Sequence, residues 1–154
     1  MQINIDYSRA KLLTQQGYDL IKKHYMKPGD VSPQDAFART CLYFGSNAEH
    51  AQRLYDAVSK LHFMFSSPIL SNNSHDDRGL PISCFLSYVS DDLNGLIGHE
   101  TETKWLSIFG GGVGGHWDDV RCISSKSPGP IPFIHSVDGA LTAYKQGETR
   151  KGAY

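Results

Sequence analysis

The chain has 154 residues, of which 40% are hydrophobic and 11% aromatic, and its formal net charge is −1. This apolar content is enough to bury a core, which excludes wholesale disorder, and the near-zero charge argues against a basic surface for nucleic acid. No apolar run approaches the roughly 18–20 residues that cross a bilayer. The N-terminus has neither the basic flank nor the apolar stretch of a signal peptide. We therefore expect a cytoplasmic protein that binds neither membrane nor nucleic acid.

The first 65 residues are predicted to be helical. Residues 6–26 predict a first helix that Gly17 weakens or breaks, and residues 27–30 (KPGD) predict a turn. Ser32 is a good N-cap for a second helix, with Pro33 at its first position and Gly45 at its end. The buried stripe of that helix is predicted from Phe37, Cys41 and Phe44.

A third helix is predicted to open at a capping box formed by residues 46–49 (SNAE). Apolar residues follow it at helical spacing, which indicates one buried face. These positions are Ala51, Leu54, Tyr55, Val58 and Leu61.

From Phe65 the pattern changes to that of an α/β region. Residues 66–73 read as a short extended piece, and a polar loop follows through Gly79. Residues 81–89 alternate with apolar residues on both faces, which indicates an interior strand. Residues 90–93 then open a helix that runs to about Phe109.

After a glycine run, a second strand is predicted near residues 117–120, and a last helix begins at Pro132. The buried stripe of that helix is predicted from Phe133, Val137, Leu141 and Tyr144. The order strand–helix–strand–helix after a helical region indicates a mixed or parallel α/β sheet. Because residues 146–154 resemble neither a helix end nor a disordered tail, we expect the chain to be cut rather than finished.

The three cysteines, Cys41, Cys84 and Cys122, fit neither a disulfide framework nor a zinc knuckle, because they are odd in number and lack CxxC spacing. The seven histidines include no HExxH motif and no pair at helical spacing, so no metal site is predicted. Residue type alone favours Cys84 as a small buried hydrophobe, and Cys41 as core filling. Cys122 receives no role.

The run Gly110–Gly115 formally satisfies GxGxxG. A dinucleotide site would need a helix directly after it, and none is expected before Pro132. Close approach of a substrate to bare backbone and a tight strand crossing are the two remaining interpretations.

Two groups of charged residues have alternative interpretations. Asp91 and Asp92 fit acids that complement a helix N-terminus, which leaves ligand contact open. Arg121, beside a Gly/Ser/Pro-rich loop, is either a phosphate-binding residue or a solvated surface arginine.

Several of these segments together resemble the ribonucleotide reductase large subunit. Residues 63–72 (FMFSSPILSN) are similar to the family's F-x-P-S-T-P-x-L-x-N stretch, and residues 82–86 (ISCFL) to its S-S-C-F-L strand. Residues 91–93 (DDL) stand at the expected distance after the cysteine. Residues 111–121 resemble the family's G-G-I-G…R-I-R segment. Residues 131–133, together with residues 146–153, resemble its I/V-P-F…Q-G-G-x-R-x-G-A segment.

The resemblance implies a helical region at residues 1–65 and, at 66–154, the first strands and helices of a ten-stranded α/β barrel. It implies reduction of ribonucleotides by thiyl-radical chemistry, with Cys84 as the first of two reducing cysteines. Ser67, Ser83 and Gly112 correspond to substrate contacts. Asp91, Leu93 and Arg121 correspond to the site for a nucleotide effector at a dimer interface.

The resemblance also implies partners and limits. The segment binds no cofactor of its own. Its radical generator is a metal-containing small subunit or cobalamin, and its reductant is thioredoxin or glutaredoxin. The radical cysteine and the disulfide partner of Cys84 would lie beyond Tyr154, so we expect a split or truncated chain that is inactive and poorly soluble without the remaining large-subunit chain. We also expect no ATP-cone before the helices, and a weakened effector control because the loop at residues 121–130 is short.

A compact form is also typical of phage proteins, which would place the chain in a host cytoplasm. Two alternatives remain. One is a non-catalytic nucleotide-binding or regulatory module derived from the same fold. The other is a small helical interaction protein without a ligand.

Overall fold

The computed structural model describes residues 1–74, 79–144 and 153–154. They belong to two units, Met1–Pro81 and Ile82–Tyr154. The first unit holds a 3₁₀ helix at Tyr7–Leu12 and four α-helices: α1 (Gln15–His24), α2 (Pro33–Phe44), α3 (Ala48–Ser59) and α4 (Ser67–Ser71). The second unit contains β1 (Cys84–Tyr88), α5 (Leu93–Ile108), β2 (Gly112–His116) and α6 (Ile131–Leu141). In the described ranges no helix is both long and apolar enough to cross a membrane.

The helical start of the chain is confirmed, but its first break lies before Gly17. The 3₁₀ helix ends at Leu12, and α1 begins after Thr14, whose hydroxyl accepts the backbone N–H of Gly17 at 3.1 Å. Gly17 is therefore the third residue of α1. The break arises because Thr14 adopts an extended backbone and caps the new helix.

The predicted start and end of α2 are confirmed. Ser32 caps the helix, the carboxylate of Asp35 accepts the Ser32 backbone N–H at 2.9 Å, and Gly45 is the C-cap. Phe37 and Cys41 are fully buried, whereas Phe44 is 36% exposed, so the predicted stripe is wrong at its last residue.

The capping box predicted for α3 is wrong, although the helix is present. Asn47 is the N-cap, and its side chain accepts the backbone N–H of His50 at 2.8 Å. Glu49 instead pairs with Arg53 one turn later. Leu61 lies beyond the end of α3 with a φ of 60°, which removes it from the buried face.

The core of the first unit forms where α2 packs on α3. Tyr55 is fully buried there, and its hydroxyl accepts the backbone N–H of Asp6 and donates to Gln34 Oε1, both at 2.9 Å. A buried hydroxyl with partners on both sides ties the N-terminal segment to α2 and α3. Burial also raises the pKa of the Cys41 thiol to about 12.

Replacing Tyr55 by Phe should lower the free energy of unfolding by about 1–3 kcal/mol, because the Asp6 N–H and the Gln34 carbonyl lose their buried partner. Urea denaturation of the native chain measures this change. Tyr18→Phe, at a half-buried position of α1, serves as the control and should be nearly neutral. Equal effects of the two substitutions would contradict the assigned role of Tyr55.

In the second unit, β1 and β2 pair in parallel, with α5 between them in the chain. The predicted order strand–helix–strand–helix is confirmed. The second strand is nevertheless the glycine run itself, and the strand predicted at residues 117–120 is wrong. Those residues turn, with the Val120 N–H donating to the Trp117 carbonyl at 3.0 Å. Glycine has a low intrinsic preference for strands. The glycines nevertheless form a strand here because their backbone pairs with β1.

Two further differences concern local structure. The extended piece predicted at residues 66–73 is wrong, because residues 67–71 form α4 with Pro68 in its first turn, where proline is favoured. The last helix begins at Ile131, one residue before Pro132, and Tyr144 lies past its end and is exposed. Parts of two predicted features, the polar loop at residues 75–78 and the motif at residues 146–152, lie outside the described residues.

Candidate functional site

One face of the paired strands is open and carries Cys84. Residues Cys84, Leu86 and Tyr88 point to this face, and Leu86 is 94% exposed. The prediction of an interior strand is therefore wrong for the described residues, because nothing among them covers this face. The opposite face of β1 packs toward α5, where Ser87 donates to Glu102.

The register places the Cys84 thiol beside backbone that has no side chain. Cys84 pairs with Gly112, Leu86 with Gly114 and Tyr88 with His116. Paired residues of parallel strands project to the same side of the sheet. In the row formed by Cys84, Leu86, Gly112 and Gly114, β2 therefore presents no side chain, which leaves space for a small molecule to lie against the strand.

Packing explains one glycine of the run but not its neighbour. A Cβ at Gly111 would lie 2.5 Å from the Phe85 ring, so this position must remain glycine. A Cβ at Gly112 would meet only ordinary contacts, the nearest at 3.6 Å from the Ser83 carbonyl oxygen. The bare backbone at Gly112 is therefore not required by the fold, and it coincides with the row that contains Cys84.

The glycine run is not a dinucleotide-binding turn. Its residues from Gly112 to Gly115 lie within β2, and no helix follows until Ile131. The strand–turn–helix arrangement that presents a helix N-terminus to pyrophosphate does not occur in this described stretch.

The two predicted serines differ in position. Ser83 directly precedes β1, its hydroxyl lies 3.8 Å from the Cys84 sulfur, and its carbonyl accepts the Gly112 N–H at 2.7 Å. The Gly112 N–H is thus already used within the strand pair. Ser67 belongs to the first unit, where its hydroxyl lies 2.7 Å from the hydroxyl of Tyr25.

Asp91, Leu93 and Arg121 line a single cavity of about 410 Å³ in the second unit. Arg121 Nε donates to the Asp91 carboxylate at 2.6 Å. Asp92 instead caps α5 by accepting the Gly95 N–H, and the Ser90 hydroxyl and that N–H lower its pKa. The two adjacent acids therefore differ, with Asp91 joined to the arginine of the cavity and Asp92 to the helix end.

The loop after Arg121 adds residues to this cavity that the sequence did not indicate. Ser124 and Ser127 form a tight turn, with the Ser124 N–H donating to the Ser127 carbonyl at 2.8 Å. The turn brings Lys126 to the cavity, and α6 contributes Phe133. No local motif marks these residues, because the turn and the packing of α6 bring them to the cavity.

At the carboxyl ends of the two strands, the rings of Tyr88 and His116 stack with their centroids 6.0 Å apart. The Tyr88 hydroxyl donates to the Asp119 carboxylate at 2.8 Å, and this bond raises the pKa of Tyr88. Both rings line an open cavity of about 630 Å³ over the strand face. In the ranges that the structure describes, no three His, Cys, Asp or Glu side chains are grouped to hold a metal ion.

Comparison with known proteins identifies this arrangement. Residues 11–77 match the family model "Ribonucleotide reductase, all-alpha domain", and residues 82–154 match "Ribonucleotide reductase, barrel domain". The chain belongs to the ribonucleotide reductase large-subunit family and contains the all-α domain and the start of the barrel domain. The fold class implied by the sequence resemblance is confirmed.

The chain is similar to large subunits of ribonucleoside-diphosphate reductase from two viruses. It is 43% identical to that of Invertebrate iridescent virus 3 over 99% of this chain and 24% of the relative. It is 39% identical to that of Invertebrate iridescent virus 6 over 99% of this chain and 16% of the relative. The solved Actinobacillus ureae class Id ribonucleotide reductase alpha subunit matches with a TM-score of 0.74 and 26% identity, over 93% of this chain and 28% of that one. The chain thus spans between 16% and 28% of the length of these relatives.

Native-state alkylation should distinguish the three thiols. Cys84 and Cys122 are exposed, whereas Cys41 is buried with its pKa raised to about 12. At pH 8, iodoacetamide should therefore modify Cys84 and Cys122 and leave Cys41 intact, because the thiolate is the reactive form. Peptide mass spectrometry measures the modified sites, and the urea-unfolded chain, in which all three should react, is the control. Modification of native Cys41 before Cys84 would contradict this description.

Proposed function

We propose that this chain supplies one redox-active cysteine and part of the nucleotide sites of a ribonucleotide reductase large subunit. The observation that carries the proposal is the position of Cys84, an exposed thiol directly across from the bare backbone of Gly112. A substrate ribose lying along this row would meet the thiol on one strand and the Gly112 backbone on the other. Ser83 and Ser67 are the proposed additional substrate contacts.

The proposed role of Cys84 is that of a reductant at the ribose. Cys84 and a second cysteine, supplied from elsewhere, together give two electrons and two protons. The C2′–O bond breaks, the 2′-hydroxyl leaves as water, hydrogen takes its place, and the two thiols end joined as a disulfide. An exposed thiol suits this role, because the sulfur must reach both the substrate and the second thiol. A dithiol protein such as thioredoxin or glutaredoxin would then reduce the disulfide.

The reaction also needs groups that we assign to other polypeptide. These are the cysteine that carries the thiyl radical, the thiol partner of Cys84, and a radical generator, either a metal-containing small subunit or cobalamin. We propose that they reach Cys84 by assembly with the remaining large-subunit chain, within a large-subunit dimer in the cytoplasm. The open face around Leu86 supports assembly, because an exposed apolar strand face is stabilised when it is covered.

The cavity around Asp91, Leu93 and Arg121 is the proposed effector site. Arg121 and Lys126 provide positive charge for the phosphates of a nucleoside triphosphate, and Phe133 provides an apolar wall. The Asp91 carboxylate accepts a hydrogen bond from Arg121 Nε at 2.6 Å. Its oxygens can also accept a hydrogen bond from a ribose hydroxyl. These contacts support nucleotide binding at this cavity, separate from the proposed substrate row at Cys84.

Cys84→Ser should abolish thioredoxin-dependent turnover of ribonucleoside diphosphates by the assembled reductase, because a hydroxyl cannot form the disulfide. The assay measures deoxyribonucleotide formed over many turnovers. Cys122→Ser is the matched control, since Cys122 is also exposed, and it should retain activity.

Full turnover in Cys84→Ser would remove Cys84 from the mechanism. Absence of turnover in the wild-type assembly, combined with intact nucleotide binding, would favour the alternative of a non-catalytic nucleotide-binding module.

Saturation with an effector nucleotide should raise the melting temperature of the native protein by several degrees, since a ligand at about 100 times its Kd stabilises the native state by about 2.7 kcal/mol. ATP, dATP, dGTP and dTTP are titrated separately while unfolding is followed by fluorescence. Arg121→Ala should remove most of the shift by deleting the proposed phosphate contact.

Arg53→Ala is the control for this experiment, because Arg53 is an exposed arginine of α3 that pairs with Glu49. It should leave the nucleotide-dependent shift unchanged. If no nucleotide shifts the melting temperature of the wild-type protein, the effector assignment fails.

A further inference from the structure

A line of hydrogen bonds crosses the second unit behind the strand pair, on the side of β1 opposite Cys84. His99 of α5 is only 3% exposed, with Nδ1 3.0 Å from the Ser87 hydroxyl and Nε2 2.8 Å from the Tyr154 hydroxyl. Ser87 also donates to the Glu102 carboxylate at 3.1 Å, and Trp117 Nε1 donates to the Tyr154 hydroxyl at 2.6 Å. We refer to these five residues as the His99 network.

The ends of the network fix where its protons lie. An indole N–H only donates and a carboxylate only accepts. Because Ser87 gives its proton to Glu102, it must accept from Nδ1 of His99. The network therefore requires a proton on Nδ1. Burial lowers the pKa of His99, against a smaller opposing effect of Glu102, and so favours the neutral ring. In the neutral ring with Nδ1 protonated, Nε2 accepts the hydroxyl proton of Tyr154.

The backbone of β2 is shaped to accommodate the network. A Cβ at Gly115 would lie 2.1 Å from the Tyr154 hydroxyl, 2.7 Å from Trp117 Nε1 and 3.0 Å from His99 Nε2. Any larger residue at this position would displace the Tyr154 hydroxyl and the Trp117 indole and would crowd His99. Gly115 is thus required by the network, whereas packing does not require the glycine at 112.

The network holds the segment that flanks the proposed substrate row. Ala153 forms a parallel bridge with Gly112, and the Val113 N–H donates to the Ala153 carbonyl at 2.9 Å. Tyr154 follows directly, and we call Ala153 and Tyr154 the Ala153 segment. The Tyr154 hydroxyl anchors this segment through its hydrogen bonds to His99 and Trp117. Without these bonds, the Ala153 segment would be held mainly by backbone contacts along the edge of β2.

We propose that His99 is a positioning residue: through Tyr154 it fixes the Ala153 segment against β2 and thereby sets the backbone position of Gly112 in the substrate row. His99 lies on the side of β1 opposite Cys84, so its proposed effect on the substrate row passes through Tyr154. Its role at the substrate row rests on the proposed function, whereas its role in holding the segment does not.

Two amide substitutions separate the two sides of His99. In His99→Gln, the longer side chain can place its oxygen near Nε2 and accept from Tyr154. In His99→Asn, the shorter side chain can place its NH₂ near Nδ1 and donate to Ser87 but does not reach Tyr154. Both variants keep a polar group in the buried position, and only one restores the anchor.

In the assembled reductase, His99→Asn should raise the KM for ribonucleoside diphosphate on the order of tenfold, with a smaller change in kcat, because loss of a buried hydrogen bond shifts an equilibrium by about that factor. His99→Gln should stay close to the wild-type KM. Tyr154→Phe, which keeps the ring and removes only the hydroxyl, should reproduce the His99→Asn result.

Hydrogen exchange of the Val113 amide provides a readout independent of activity, because this N–H donates to Ala153. It should exchange faster in His99→Asn and Tyr154→Phe and retain protection in His99→Gln. The proposal is overturned if the Gln and Asn variants match each other in Val113 exchange, or if exchange separates them but KM does not. If the wild-type assembly reduces no ribonucleotide, the proposed function fails, and Val113 exchange still decides whether His99 holds the segment.

Discussion

The parallel pairing of β1 with β2 is the interaction on which the rest of the second unit depends. Its register places Cys84 beside Gly112 and Tyr88 beside His116, and it orients the opposite face of β1 toward α5. A shift of one residue would turn Cys84 toward the helix and expose Ser87, because side chains alternate along a strand. The position of the thiol is therefore a consequence of the strand register.

The glycine run illustrates how several constraints can act on one strand. Gly111 makes room for the Phe85 ring, and Gly115 makes room for the His99 network, so both are explained by packing. Gly112 is not, and it lies in the same row as the exposed thiol. Glycines of one sequence motif thus have different reasons to lack a side chain. Only the atoms that a Cβ would meet at each position distinguish these reasons.

Much of the fold and part of the site were accessible from sequence. Caps and turns such as Ser32 and Asp92 were predictable because their chemistry acts within a few residues. The Cys84 strand was predictable from its alternation, whereas β2 was not, since glycines have no strand propensity and rely on a partner strand. That Asp91 and Arg121 belong to one site was indicated only by family resemblance, because 30 residues separate them, and their ion pair was not predicted.

The sequence by itself determined the strand–helix–strand–helix order of the second unit, the burial of Cys41 and, through its motifs, the ribonucleotide reductase large-subunit family. The elements and the burial of Cys41 follow from local periodicity. The family follows from several short motifs that occur in a specific order along the chain. The tertiary structure alone decided which face of β1 is open, which glycines are required by packing, and that His99 joins Tyr154, 55 positions away. Such contacts are made between distant segments after the chain folds, and local sequence carries no signal for them.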